Sequence, residues 1–298
     1  MCISTAGRDG GVFDQPDKLL DRLRQGPGEE ARREVAPEPD QRGPAPSRWS
    51  LRTIRASVPA LRDYCLSGVW RVLQRCECRL RSPKVRLFSP DPQYASKEAR
   101  LLGCLHAVAQ APDRRVVLFL DEMGYYRWPS SAEDWQPAEA APPQLQVSGN
   151  NSQWRIVGAL NALTGQVDYL DNYIVGRKQL INFYGRLDQR YPNVEQIYIA
   201  QDNWSIHQHP DVLTALSRWP RIKPIWLPTY APWLNPIEKL WRWLRQDVLK
   251  LHRLAGDWLA LRQQVRTFLN QFASGSHAVL RYVGLLGEGK LAQAIYGS

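Results

Sequence analysis

The 298-residue chain contains no run of about 18 apolar residues, so no transmembrane helix is expected. Its opening, MCISTAGRDGG, has no apolar core, and no secretory signal is expected there. Cysteine is scarce and odd in number: Cys2, Cys65, Cys76, Cys78 and Cys104. Cys76 and Cys78 form C-x-C without a matching Cys or His pair, which argues against a zinc site, and reduced thiols in a cytosolic protein are the better reading. No internal repeat is visible, which excludes solenoids and propellers. Residues 1–47 are poor in large apolar side chains and rich in Gly, Pro and charge. Apart from a short helix over 17–25, that segment reads as linker or disorder, because it cannot bury enough surface to offset chain entropy.

Acidic residues are in deficit. There are 39 Lys and Arg against 29 Asp and Glu, a net charge of +10, which favours a polyanionic partner. The excess is concentrated: residues 51–100 hold eleven Lys and Arg against four Asp and Glu, a net of +7. There the charge is interleaved with apolar residues at helical spacing. Trp49, Leu51, Ile54 and Val58 form one stripe, broken by Pro59. A second helix starts near Ser67 as N-cap, with Val69, Val72 and Leu73 inward and Arg71, Gln74 and Arg75 outward. This is either an ordinary helical hairpin with a solvated basic face or a helix-turn-helix whose second helix reads the major groove. A Ser-Pro-Asp-Pro turn at 89–92 closes the unit, and a helix from Tyr94 to about Ala109 leads onward.

The remainder alternates short apolar runs with helical patterns, and the apolar fraction of 44% is enough for a sizeable core. Val116–Leu120 reads as a strand buried on both faces that ends in Asp121. A Pro-rich connection over 122–153 follows, then strands over 154–162 and 166–175, a helix over 178–190 and a strand over 196–201 that runs into Asp202. A helix over 210–219, a strand over 222–226, a helix carrying Glu238 and a last helix over 257–272 complete the order. Asp202 and Glu238 are separated by 35 residues. Two Asp residues at strand ends and one Glu on a later helix form a set able to hold divalent cations for phosphoryl transfer, since such ions take hard oxygen ligands. Each acid also has a local reading. Asp121 suits a turn, Asp202-Asn203 suits an Asx turn, and Asn235-Pro236-Ile237-Glu238 fits an N-cap, Pro at N1 and Glu at N3. Glu122 is an alternative to Asp121, but strand alternation points it to the other face.

LFLDEMGYY around Asp121, QDNWSIH around Asp202 and LPTYAPWLNPIEKLW around Glu238 together resemble the DDE endonuclease domain of bacterial insertion-sequence transposases of the mariner superfamily. The resemblance covers roughly residues 46–285, and 227–241 is its most specific part. It implies an α/β, ribonuclease-H-like mixed five-stranded sheet with flanking helices, preceded by a small helical helix-turn-helix domain. The implied division is 1–47 disordered or degraded, 48–92 helix-turn-helix, 93–113 connecting helix, 114–285 catalytic domain and 286–298 tail. Family members usually carry two helix-turn-helix units, of which only the second is readable.

The resemblance further implies that Asp121, Asp202 and Glu238 are the catalytic residues and ligate two Mg²⁺ or Mn²⁺ ions. Arg71, Gln74, Arg75, Arg79, Arg81, Lys84 and Arg86 would contact DNA at the helix-turn-helix, and Lys239 and Arg242 would do so on the Glu238 helix. Asn203, His207 and Asn235 are supporting candidates, with His207 placed to orient a ligand or start the next helix. The implied activity is cleavage at inverted-repeat ends and strand transfer into target DNA, usually at TA. The implied partners are double-stranded DNA and further copies of the chain, in a cytoplasmic, nucleoid-associated protein with no membrane partner. Two alternatives are a DNA-binding protein with a dead catalytic centre and a ribonuclease-H-type nuclease acting on hybrids. The intact acids argue against the first. The helix-turn-helix argues against the second, because the deep A-form groove does not admit such a helix.

Overall fold

The structure, a computed structural model, describes residues 49–81, 87–139, 144–145, 147 and 149–297. The reading of residues 1–47 as linker or disorder lies outside the described residues. The chain divides into two compact units, Met1–Val85 and Arg86–Ser298.

In the first unit, α1 (Leu51–Ser57) opens with a capping box in which Ser50 and Thr53 bond reciprocally, so Ser50 satisfies an otherwise orphan N–H. A 3₁₀ turn over Pro59–Leu61 follows, and then α2 (Leu66–Arg75). Helix α2 is capped at Cys65, two residues before the Ser67 expected from sequence. Ile54, Val58, Leu61, Val69 and Leu73 form the unit's small core, while Arg71, Gln74 and Arg75 are exposed.

The second unit begins with α3 (Tyr94–Gln110) and continues with β1 (Arg115–Tyr126), β2 (Gln153–Asn161) and β3 (Val167–Asn172). Then come α4 (Arg177–Arg190), β4 (Gln196–Gln201), α5 (Pro210–Leu216) and β5 (Ile222–Trp226). Helix α6 (Ile237–Leu244) runs into a π-helical turn over Arg245–Leu249, and α7 (Trp258–Asn270), α8 (His277–Val283) and α9 (Lys290–Tyr296) follow. Residues 286–298, read from sequence as a tail, thus contain a helix. Leu291, Ala292 and Ile295 of α9 are buried, and α9 packs on α3. Among the described residues no helix is long and apolar enough to cross a membrane.

The five strands form one mixed sheet in the order β3-β2-β1-β4-β5. The β1–β2 and β2–β3 pairs are antiparallel, and β1–β4 and β4–β5 are parallel. Strand alternation sorts the side chains of β1 into two cores. Val117 and Phe119 join residues of α3, α6, α7, α8 and α9 on one face, and Val116, Leu118 and Leu120 join residues of α4 and α5 on the other. Helices on both faces explain why 116–120 is apolar without alternation.

Candidate active site

The strand expected to stop at Asp121 runs on to Tyr126, because residues 122–126 pair with 153–157 of β2. The burial pattern changes at that point. Met123 and Tyr125 are buried and Glu122 and Gly124 are partly open, so two-sided burial gives way to alternation beyond the last parallel pair, Phe119 with Ala200. Asp121 stands directly opposite Gly158 on β2 and is 9% exposed. The indole Nε1 of Trp241 on α6 donates to its Oδ2 at 3.0 Å. Burial, with the negative charges of Glu238, Glu122 and Asp202 added, pushes the Asp121 carboxyl up to about 8.

Asp202 directly follows β4, two residues beyond Ala200, as Asp121 is two beyond Phe119. The parallel register therefore sets the two Asp residues level on strands spaced about 4.8 Å apart. Asp202 is exposed, and its Oδ1 accepts from the Trp204 N–H at 3.0 Å, the Asx turn anticipated from sequence. Beneath it lies His207, fully buried. Nδ1 is 3.2 Å from the Asp202 carbonyl and 3.3 Å from its Oδ1, and Nε2 is 3.0 Å from Glu122 Oε1. Oxygens face both nitrogens, an arrangement that favours the doubly protonated imidazolium. Burial alone would lower its pKa, but the bonds and charges of Asp202 and Glu122 outweigh burial and push it up to about 10. Burial works in the opposite sense on Asp202, and the bonds from His207 and Trp204 hold that carboxyl below its ordinary value. Glu122 does point to the face opposite Asp121, as alternation requires, and there it anchors His207. Asn203 ties the same turn to the segment after β5, donating to Leu227 O at 2.8 Å and Thr229 Oγ1 at 3.2 Å.

Glu238 sits in the first turn of α6, partly buried. Burial raises its carboxyl, Arg245 and Arg242 pull it down and Asp202 adds to the rise. The capping arrangement read from sequence does not form. The N-cap residue is Pro236, with no side-chain cap, and Asn235 is buried and donates Nδ2 to Leu120 O at 3.2 Å. This tertiary bond wins over the local cap and fastens the start of α6 beside Asp121. Arg242 and Arg245 are exposed near Glu238. Lys239, grouped with Arg242 in the sequence reading, is directed elsewhere: its Nζ donates to Val283 O at 2.9 Å, at the carboxyl end of α8. A cation is favoured there because the last carbonyls of a helix carry partial negative charge.

The three acids thus lie within electrostatic reach of one another. Among the described residues, however, the trio of possible ligand atoms all within 4.8 Å of each other is Glu122, Asp202 and His207, and no such trio includes Asp121 or Glu238. Both ring nitrogens of His207 are already committed to carboxylates, so that trio is an ion-paired brace. The donors around Asp121, Asp202 and Glu238 are hard oxygens, and a divalent cation would offset both the burial and the neighbouring negative charges that lift Asp121, so these residues fit such an ion. In the first unit, Arg71, Gln74, Arg75, Arg79 and Arg81 are all exposed, and Lys84 and Arg86 lie outside the described residues. Trp241 is the site residue that sequence reasoning did not assign, and Glu122, weighed there as an alternative to Asp121, is instead the partner of His207.

A mixed sheet in this order, with one carboxylate on β1 just beyond its parallel pairing with β4, a second directly after β4 and a third on a covering helix, is a ribonuclease-H-like fold with an acidic centre. Residues 116–261 match the family model described as DDE superfamily endonuclease. The chain is 24% identical over 242 residues to the insertion element IS630 uncharacterized 39 kDa protein of Shigella sonnei, covering 79% of this chain and 68% of that one. In fold it is similar to the Mos1 mariner paired end complex with Mn, at a TM-score of 0.50, 14% identity, 98% coverage of this chain and 89% of that chain. The corresponding complex with Mg gives a TM-score of 0.50 at 13% identity, covering 94% and 86% of the two chains.

Proposed function

We propose that this chain is a DNA transposase that cuts at the inverted-repeat ends of its element and joins the freed 3′-hydroxyl to target DNA, with TA as the target step. The observation that carries the reading is Asp121 on β1 level with Asp202 directly after the parallel strand β4, with Glu238 on the covering helix, inside the segment that matches the DDE endonuclease model. The relative from an insertion element, and the paired-end complexes with Mn and Mg of the mariner structures, support it.

Asp121, Asp202 and Glu238 would hold two Mg²⁺ or Mn²⁺ ions. When bound, such ions stabilise charge on the attacking and leaving oxygens and lower the pKa of the attacking water. The other residues place and hold. His207, pinned by Glu122, fixes the Asp202 turn, and Asn235 fixes α6 against β1. Arg242 and Arg245 meet the DNA phosphates beside Glu238. Arg71, Gln74 and Arg75 read base edges, while Arg79, Arg81, Lys84 and Arg86 contact phosphates. Pairing of two element ends calls for at least two copies of the chain.

The test is a nicking assay with Mg²⁺ or Mn²⁺ on duplex DNA carrying the element's ends and on an RNA–DNA hybrid of the same sequence. Duplex nicking at the repeat end with a 3′-hydroxyl product is expected. Cutting of the hybrid alone would identify a ribonuclease-H-type enzyme, and binding without cutting a dead centre.

A second prediction concerns binding. Arg71→Ala with Arg75→Ala is expected to weaken affinity for terminal-repeat DNA by about 1–3 kcal/mol for each arginine that reads a base edge, with little change on unrelated DNA. If the two arginines touch only phosphates, affinity instead falls alike on all sequences and the salt slope flattens. Titrations at two salt concentrations distinguish these results, and parental binding by the double variant would refute the helix-turn-helix reading.

A further inference from the structure

Beyond the three acids, the structure assigns a positioning role to Trp241, made possible by the missing side chain of Gly158. We propose that the Trp241 indole N–H fixes the orientation of the Asp121 carboxylate, holding Oδ2 so that Oδ1 is presented to a divalent cation. The inference rests on reading Asp121 as a metal ligand.

Three observations converge on it. Trp241 is fully buried, and its Nε1 donates to Asp121 Oδ2 at 3.0 Å. Gly158 stands opposite Asp121 in the antiparallel β1–β2 register, so the two positions are neighbours on one face of the sheet. A Cβ built at Gly158 would lie 2.6 Å from Trp241 Cη2 and 2.9 Å from Cζ2, closer than packed atoms approach. The indole therefore occupies the space that any side chain at 158 would fill, and reaches across the strand pair to the carboxylate. Gly158 keeps an ordinary strand pairing, so the close approach of the ring is what requires glycine there.

Trp241 also lies one turn after Glu238 on α6. Its bond to Asp121 ties the helix that supplies one acid to the strand that supplies another. Together with Asn235 donating to Leu120 O, it fastens α6 to two consecutive residues of β1, Leu120 and Asp121. A buried polar N–H needs a partner, and in this core Asp121 supplies it.

The test uses the full chain and two substitutions that disturb the bond in opposite ways. Trp241→Phe keeps an aromatic ring and removes the donor. Gly158→Ala keeps the donor and displaces the ring. In both, Mn²⁺ affinity, read from free Mn²⁺ by electron paramagnetic resonance, is expected to weaken by about 10–100-fold, as when a partner that orients a metal ligand is removed. Nicking at subsaturating Mn²⁺ falls in step and recovers partly at saturation. In ¹⁵N-labelled parent protein, the indole N–H peak absent from Trp241→Phe belongs to Trp241. That peak is expected to move on Mg²⁺ addition in the parent and to stay still in Asp121→Asn, a response that packing alone does not produce. Parental Mn²⁺ affinity in Trp241→Phe, or a Trp241 peak unmoved by Mg²⁺ in the parent, overturns the inference. Should Gly158→Ala fail to fold, the phenylalanine variant still decides. Asp121→Asn is the control for the underlying reading: if it still binds Mn²⁺ and nicks, Asp121 is not a ligand, and that failure is separate from an unaffected Trp241→Phe.

Discussion

Asp121→Asn is expected to make the protein more stable in the presence of a chelator at pH 8, while abolishing strand cutting. The Asp121 carboxyl lies at about 8 in the fold, against an ordinary 3.8. Between those values the unfolded chain is ionised and the folded chain still holds the proton, so folding takes up a proton and stability falls as pH rises. The displacement bounds the penalty at about 6 kcal/mol above pH 8, fully present only there and absent below pH 4. Asparagine carries no such penalty. Its amide can accept the Trp241 N–H through its oxygen, so the advantage over the parent should grow from pH 4 to pH 8. Urea unfolding across that range measures it, and a variant no more stable than the parent at pH 8 would show that Asp121 ionises freely. Divalent ions should raise the melting temperature of the parent and not of the variant. Cutting should fall by about 1000-fold or more, since several kcal/mol of charge stabilisation depends on the ligand.

Loss of His207 is the second large effect, of opposite sign. His207→Ala leaves Glu122 without its buried partner and releases the Asp202 turn, a change expected to cost about 3–5 kcal/mol at pH 6. The pH dependence follows from a ring whose pKa is about 10 in the fold and 6.5 ordinarily. A group raised in this way contributes stability that is complete below pH 6.5 and is lost as pH climbs to 10. The gap between parent and His207→Ala should therefore narrow from pH 6.5 to pH 10 in urea titrations. A gap that stays constant across that window would mean that the ring is neutral and that its two bonds are otherwise arranged.

The sheet was legible because buried strands write short apolar runs, and β4 and β5 coincide with their sequence-read limits. The three acids stood out because two of them follow such runs and the third lies in a specific segment. What sequence left out depends on packing between distant segments. Trp241 sits on the apolar stripe of its helix, so its ring reads as core, and its N–H acquires meaning only when β1 and β2 dock beneath it. Glu122 was assigned the correct face, but its partner arrives from the turn after β4. Asn235 carries a strong local cap pattern that a tertiary bond overrides. The end of α6 was not legible either, since a π-helical turn over Arg245–Leu249 follows it and Leu251 has a φ of 50°. Helices α8 and α9 have 7 residues each, too few for periodicity to speak.

The packing of α9 on α3 bears on how the protein is made. Within the second unit, α3 is the first element synthesised and α9 the last, and Lys290 pairs with Glu98 at 2.7 Å where they meet. Closing so long a loop costs entropy that no local interaction repays, so this seam forms late. On the ribosome, Leu101, Leu105 and Val108 lack their α9 partners Leu291 and Ile295 until almost the whole unit has emerged. The nascent chain therefore shows an apolar helix for most of its synthesis, an opening for chaperones and for proteolysis. A ribosome-bound chain that has not reached residue 290 holds all three acids in a domain whose core is still open, so closure of that core waits on the synthesis of α9.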